Sequence, residues 1–429
     1  MDKIDVVIVG AGLAGLSCAW VLSGHGLQVI VVERGDFAGS KNVTGGRLYL
    51  KPIDGMASEM LAGAPFERKV VRERWSLLGS ANSVSIDHTS DRFRNEDHSC
   101  TVLRARLDRW LSERLMAKGV FVIPKYRVDD LLWENGVVAG IRAGAEEIPA
   151  HVVVAADGVL SFMGRKAGLL PALSPKAYAV GMKEVLELPE EKINDRFNVG
   201  DGEGVAHLFL GDVTKGVFGG GFLYTNRDTL SLGVVAGIGA MMGRTPALDA
   251  STLLEMFKER YEMRRLLDGA RIVEYSAHVI PEAGYDGIGK LCGNGILLAG
   301  DAAGLALNMG VTVRGMEFAI ASGMAAAEAI VEAKASGDLS EKGLSRYGER
   351  LRESFVLKDL EASRRVPGYL DNDSFFSYYP ETFPGLVEKI MWFDENPKGS
   401  PGKTLWKELR SSGMLSVKRL IELARIRNI

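Results

Sequence analysis

A buried strand that runs straight into a glycine turn and then a helix is the feature that most constrains this chain. Ile4 to Val9, IDVVIV, is a short apolar run rich in β-branched residues, the pattern of a strand covered on both faces. Gly10, Gly12 and Gly15 follow at G-x-G-x-x-G spacing. The first permits a tight turn, the second lets the backbone approach a pyrophosphate, and the third lets the helix lie close to the strand. Ala14 to Ser23 predicts a helix whose N-terminus offers free amides and a positive dipole to phosphates, with Gly26 placed to end it. Leu27 to Val32 predicts a second buried strand, closed by Glu33 and Arg34. Glu33 stands near the roughly 20-residue interval at which an acid accepts the ribose hydroxyl protons, and it would repel a 2′-phosphate. A signal peptide or membrane anchor is excluded, because Asp5 and the glycines interrupt the run and no positive region precedes it.

Two later segments decide which dinucleotide is bound. Val152 to Ala156 predicts another buried strand, ending in Asp157-Gly158 within AADGVLSFMGR. Far downstream, Gly295 to Asp301 reads GILLAGD and runs into Ala302-Ala303-Gly304. In this order, the three segments resemble the FAD-binding motifs of the glutathione-reductase-type flavoprotein fold. That resemblance implies FAD, held also by Asp157, Gly158, Gly300 and Asp301, with Asp301 on the ribityl chain. It turns the amides after Asn308-Met309, at Gly310, Val311 and Thr312, toward the flavin pyrimidine. Arg314 to Ala335, rich in Ala and Met, predicts a helix whose N-terminal dipole would favour negative charge on that edge of a reduced flavin. An NAD dehydrogenase needs neither later segment.

Composition sets outer limits. At 429 residues, 46% apolar and 25% charged, the chain is an ordinary globular sequence with room for two or three structural units. A net charge of −3 gives no basis for nucleic-acid binding. Cys18, Cys100 and Cys292 are far apart, so neither an iron–sulfur site nor a disulfide framework can be built from them. The six histidines lack metal-ligand spacing. The missing export signal points to the cytoplasm.

Phe37 to Tyr49, FAGSKNVTGGRLY, predicts a loop over the flavin, with Thr44, Gly45 and Gly46 bringing backbone close to the ring; an ordinary surface loop is the alternative. Gly63 to Ser99 loses the βα rhythm and predicts an excursion into an antiparallel sheet. Val102 to Met116 predicts a helix with Leu107, Leu111 and Leu115 on one face. Val120 to Val128 and Gly136 to Ala143 predict strands of a small meander. Tyr178 to Leu186, Ala206 to Leu210, Gly216 to Leu223 and Thr229 to Val235 predict a substrate sheet, followed by an amphipathic helix over Leu253 to Leu267. The aromatic run after Leu370 either packs a C-terminal subdomain or forms a partner-binding face. Ser416 to Ile429 is a basic amphipathic helix, with Val417, Leu420, Ile421, Ala424 and Ile426 near one face. It docks on its own domain, on a partner subunit or on an anionic membrane surface.

Taken together, SKNVTGGRLY, VLRARLDRWL, GGGFLYTN, EYSAHVIPEAG, GILLAGDAAG and NMGVTVRGM resemble the FixC branch of the electron-transfer flavoprotein–quinone oxidoreductase family, over nearly the whole chain. Arg104 and Asp108 match that group's R-x-x-[FL]-D, which implies Arg104 at the cofactor phosphates, with Val128 beside the cofactor. The larger relatives hold a [4Fe–4S] cluster on C-terminal cysteines that this chain lacks, which implies a separate small ferredoxin-like iron–sulfur subunit. The implied route runs from an electron-transfer flavoprotein of alpha and beta subunits, an NADH-oxidising electron-bifurcating one, to this FAD and then to a membrane quinone, with the chain peripheral at the inner face of the membrane. Tyr224 and His278 are candidates for the quinone side, or else satisfied core residues. The rival readings are an FAD-dependent monooxygenase, a geranylgeranyl-reductase-like enzyme, and a non-enzymatic flavin subunit.

The predicted fold is α/β (α+β). Residues 1–75, 101–170 and 271–335 form a discontinuous glutathione-reductase-type FAD-binding Rossmann domain. Residues 76–100 and 171–270 form an inserted antiparallel-sheet quinone domain, and 336–429 a mostly helical C-terminal region.

Overall fold

The computed structural model describes residues 3–42, 46–245 and 248–426. The strand Ile4–Val9 lies at the centre of a mostly parallel sheet, with Val7 and Ile8 fully enclosed. Val29–Val32 and then Phe121–Ile123 pair on one side of it, Glu146–Ala155 and then Ile296–Leu298 on the other, all parallel. The chain therefore builds outward in one direction and then reverses across Ile4–Val9. In such sheets the crevice at the carboxyl ends of the strands, where the order reverses, is where ligands bind. Gly10 and Asp157 stand at those two ends.

Three helices matter for the site: α1 (Leu13–Ser23), α2 (Arg104–Ala117) and α3 (Met316–Ser336). Gly10 adopts φ +107°, and a Cβ there would lie 2.2 Å from the Ala156 carbonyl oxygen, so no larger residue fits the turn. On α3, a Cβ at Gly323 would lie 2.1 Å from the Ala14 carbonyl oxygen, and its absence lets α1 and α3 touch backbone to backbone. The helices Arg346–Glu353 and Phe355–Ala362 add Tyr347, Leu351, Val356 and Leu360 to the same core.

The second sheet has nine strands. Its order is Arg271–Pro281, Tyr178–Glu187, Thr229–Gly237, Gly219–Thr225, Glu203–Gly211, Lys69–Leu78, Ser99–Val102 and Gly46–Tyr49, with Ser83–Thr89 hairpinned onto Lys69–Leu78. Pairing is antiparallel except between Glu203–Gly211 and Lys69–Leu78. One face packs on helices through Phe197, Leu223, Leu253, Phe257 and Met263.

Several boundaries differ from the sequence reading. Gly46–Tyr49 and Arg271–Pro281 belong to the second sheet, although the sequence reading places 1–75 and 271–335 in the nucleotide-binding unit. Lys69–Leu78 is in that sheet too, within the excursion expected from Gly63 to Ser99 but starting before the domain boundary at 75. Phe121–Ile123 extends the parallel sheet instead of joining a meander; Lys125 at φ +58° breaks the strand and leaves Val128 in a loop. The helix expected from Arg314 begins at Met316, because Val313–Arg314 pairs with Leu307–Asn308. The single helix expected over Leu253 to Leu267 is two, Ala250–Lys258 and Tyr261–Leu267. Among the described residues, no helix is long and apolar enough to cross a membrane.

Candidate functional site

A cavity of about 1070 Å³ is walled by both sheets. That is at the upper end of the roughly 300–1,000 Å³ of most small-molecule pockets. Gly10, Gly12 and Ala14 contribute the wall at the reversal of strand order. No side chain caps α1 at Gly12, so its first amides stay available to an anion. A Cβ at Gly12 would approach only Arg104 Nη2 at 3.7 Å and Asn42 Nδ2 at 3.9 Å. The space in front of the turn is open and flanked by donors.

Glu33 accepts from the amides of Ala11 at 2.9 Å and Gly35 at 2.7 Å, which locks its carboxylate beside the turn. Each oxygen retains a lone pair for a ribose hydroxyl. Arg104, at the start of α2, makes a bidentate pair with Asp108 (2.9 and 2.8 Å), whose side chain is fully buried. Asn42 donates to the same carboxylate. Asp157 accepts from Ser161 Oγ at 3.1 Å and the Met163 amide at 3.0 Å, so it also fixes the turn into the helix Phe162–Lys166. Arg34, Val128 and Gly158 lie on the wall near it.

Asp301 is the second residue of the 3-10 turn Gly300–Ala303 and lines the cavity, and its carboxylate has no hydrogen-bond partner among the described residues. Burial raises its pKa against the pull of Arg104. An enclosed carboxylate without a donor is costly, and a polyhydroxylated ligand such as the ribityl chain of FAD would supply one. The open glycine turn, the free amides and this carboxylate all fit FAD.

Farther along the cavity, the turn between Leu307–Asn308 and Val313–Arg314 is pinned from four sides. Asn308 Oδ1 accepts from the Gly310 amide at 2.8 Å, and the Met309 amide donates to Thr312 O at 2.9 Å. Trp75 Nε1 donates to Val311 O at 2.9 Å, and Tyr49 Oη bonds Thr312 Oγ1. Opposite, the strand Gly219–Thr225 lines the cavity with the backbone of Gly219 to Gly221 and turns Phe222 and Tyr224 to it, with Leu223 and Thr225 away. The Phe222 and Tyr224 rings stack at 5.2 Å. Burial pushes the Tyr224 phenol well above its usual range. Burial also holds His278 below its ordinary value, and the cations of Arg104 and Arg34 add to this. The far end is closed by Phe218, Leu370, Phe375 and Phe376, with Phe218 and Phe376 edge to face at 5.5 Å.

Three expected site residues are off the wall. Gly15 sits behind the turn, Gly300 packs on the Ala14 methyl, and Thr312 turns its hydroxyl to Tyr49. Thr44 and Gly45 lie outside the described residues, while Gly46 is on the wall as the start of a strand. Sequence reasoning missed Asn42, Trp75, Phe376 and Glu282. The alternation His278, Ile280, Glu282 is the one signal that pointed to the last. All three line the cavity, and burial pushes the Glu282 carboxyl up to about 7, against the hydrogen bond from Asn308.

Residues 5–88 match the family model described as FAD dependent oxidoreductase, and residues 178–280 the model described as ETF-QO, ubiquinone-binding. The chain is 42% identical over 417 residues to the probable electron transfer flavoprotein-quinone oxidoreductase YdiS of Escherichia coli, covering 97% of each chain. It is 40% identical to protein FixC of the same organism over 96% of this chain and 95% of that one, and 35% identical to FixC of Azorhizobium caulinodans over 92% of each. Among solved structures, a geranylgeranyl bacteriochlorophyll reductase-like protein from Thermoplasma acidophilum has the same fold, with a TM-score of 0.73 at 22% identity over 99% of this chain and all of that one. The chain belongs to the FixC and electron-transfer flavoprotein–quinone oxidoreductase family, and it is an FAD-dependent oxidoreductase.

Proposed function

We propose that the enzyme accepts electrons from an electron-transfer flavoprotein of alpha and beta subunits, an NADH-oxidising, electron-bifurcating one, and reduces a membrane quinone. One observation carries the reading: the segment 178–280 that matches the ubiquinone-binding model supplies the apolar cavity wall opposite the turn at 309–312. In this reading the amides of Gly12 and Ala14, with Arg104, hold the FAD pyrophosphate. Glu33 holds the adenosine ribose, Asp301 the ribityl chain, and the amides around Gly310 the flavin edge. Bound FAD supplies a store that is filled by single electrons and emptied two at a time into quinone. Phe222 and Phe218 shield the quinone head from water, and Tyr224 and His278 border it.

Two further observations support the partners. All three cysteines are buried, and burial raises each thiol, so they are unsuited to hold a cluster, which fits a relay carried by a separate small ferredoxin-like subunit. Met391, Trp392, Phe393 and Trp406 are exposed beside Lys398, Lys403 and Lys407, a combination suited to the anionic inner face of a membrane.

The test is anaerobic mixing with flavin absorbance as readout. NADH or NADPH alone should leave the flavin oxidised. The reduced electron-transfer flavoprotein with the ferredoxin-like subunit should bleach it, and quinone should restore the colour. Rapid bleaching by NADPH alone would instead favour hydroxylation chemistry on this fold.

A further inference from the structure

We infer that Glu282 is the proton donor to the bound quinone and that Asn308 is its positioning residue. The inference rests on the quinone reading above. Glu282 follows the strand Arg271–Pro281 and is fixed by its own backbone, its amide donating to Ala177 O at 2.9 Å. Asn308 Nδ2 donates to its Oε2 at 3.1 Å, while Asn308 Oδ1 accepts from the Gly310 amide at 2.8 Å. One amide side chain thus ties the carboxyl to the turn at 309–312. Glu282 lines the same cavity as the apolar Ile280, Met309, Leu370 and Phe376.

The other ionisable groups on the wall are poorer stores of a transferable proton. Burial raises Asp157 and Asp301 as well, but Asp157 already accepts from the Met163 amide and Ser161 Oγ, and Asp301 shares its surroundings with the Arg104 cation. His278 is held toward its neutral form and the Tyr224 phenol is pushed up. Burial leaves Glu282 titrating at about 7, where an acid is both loaded and able to give its proton up. Its own strand carries Arg271, Glu274, Tyr275 and His278, of which His278 is nearest to it along the chain; Lys176 and Tyr178 lie alongside, Arg314 follows the turn, and Arg364, Arg365 and Tyr369 come from the C-terminal region. Tyr178 Oη accepts from Arg165, Arg314 pairs with Glu317 and Asp359, Arg364 with Asp286, and Tyr369 donates to Glu422 O. The two influences on Glu282 are its burial and Asn308.

A quinone that receives two electrons from the reduced cofactor needs one proton on each oxygen. The carboxyl O–H bond of Glu282 breaks as an O–H bond forms on the quinone. The carboxylate, stabilised by Asn308 Nδ2–H, is reprotonated by hydronium from bulk solvent, which leaves water, and the second quinone oxygen, on the opposite side of the ring, takes its proton from solvent in the same way.

The experiment uses the flavin-loaded protein, reduced anaerobically and reoxidised by a short-chain ubiquinone or by ferricyanide, which takes no proton. Glu282→Gln should slow reoxidation by the quinone about 100-fold and remove the inflection near neutral pH, with ferricyanide reoxidation at the wild-type rate. The infrared difference spectrum between pH values below and above neutrality should show a titrating carboxyl in the wild type and lose it in the variant. Asn308→Ala should move the kinetic inflection upward, since the hydrogen bond it removes favours the carboxylate. A Glu282→Gln protein with the wild-type quinone rate and pH profile overturns the inference while the quinone reading stands. A wild-type protein that ferricyanide reoxidises and quinone does not overturns both. If Glu282→Gln fails to retain flavin, an unmoved inflection in Asn308→Ala overturns the inference.

Discussion

At the scale of single residues, the site depends on what glycine omits and what carboxylates retain. Gly12→Val would project two methyls into the open space between the turn, Arg104 and Asn42, where the pyrophosphate is proposed to lie. The purified variant should be folded by circular dichroism and colourless. Asp301→Ala removes the carboxylate proposed to accept from the ribityl chain, at a cost of ~2–4 kcal/mol. Titration of the apoprotein with FAD should show a roughly 30- to 700-fold rise in Kd. Glu282 adds a pH effect whose sign follows from its raised pKa. Its ordinary value is 4.5 and its value in the fold about 7, so the folded state holds the proton more tightly than the unfolded one. Its contribution is therefore fully present below the unfolded value and is lost as pH rises toward 7. Urea midpoints of wild type minus Glu282→Gln should fall across that window and level off above it.

At the scale of elements, the contact between α1 and α3 is set by backbone. A methyl at Gly323 meets the Ala14 carbonyl, which cannot swing aside as a side chain would. Gly323→Ala should therefore cost ~1–3 kcal/mol, or more if the helices cannot part, read as a lower urea midpoint with unchanged slope. Elements of this kind were the legible ones. Ile4–Val9, its glycine turn and α1 are contiguous, and a strand buried on both faces announces itself as an unbroken apolar run. The nine-stranded sheet was only partly legible, because its partners lie far apart in sequence. Lys69–Leu78 pairs in parallel with Glu203–Gly211, and no local pattern encodes that register. Its cavity face also breaks the polar alternation expected of a half-exposed strand, since Phe222 and Tyr224 face an enclosed space instead of water. For the same reason Trp75 and Phe376 were not legible as neighbours of the site. Each comes from an element that reaches the cavity only through the tertiary fold, whereas Asn42 lies in the loop Phe37 to Tyr49 that the sequence places over the flavin.

At the scale of the whole molecule, the C-terminal region both closes the cavity and continues away from it. Phe375 and Phe376 line the far wall, while the helices Pro401–Ser411 and Val417–Ile426 attach to the preceding segment by polar contacts. Lys389 pairs with Glu408 at 2.7 Å, Tyr378 Oη donates to Ser412 O at 2.9 Å, and Glu422 accepts from Tyr379 Oη at 3.1 Å. Val417, Leu420 and Ile421 meanwhile point outward, at 73%, 50% and 48% exposure. The amphipathic helix is thus seated by its hydrophilic side. A chain stopping after Ile390, before the exposed Met391, Trp392 and Phe393, should keep its flavin, with an absorbance spectrum like that of the full chain, and should no longer sediment with anionic vesicles. The full chain has a practical corollary for anyone handling it. In free solution it presents a greasy ridge to water. Light scattering should find clusters whose size grows with concentration and salt, dispersed by mild detergent and absent from the shortened form.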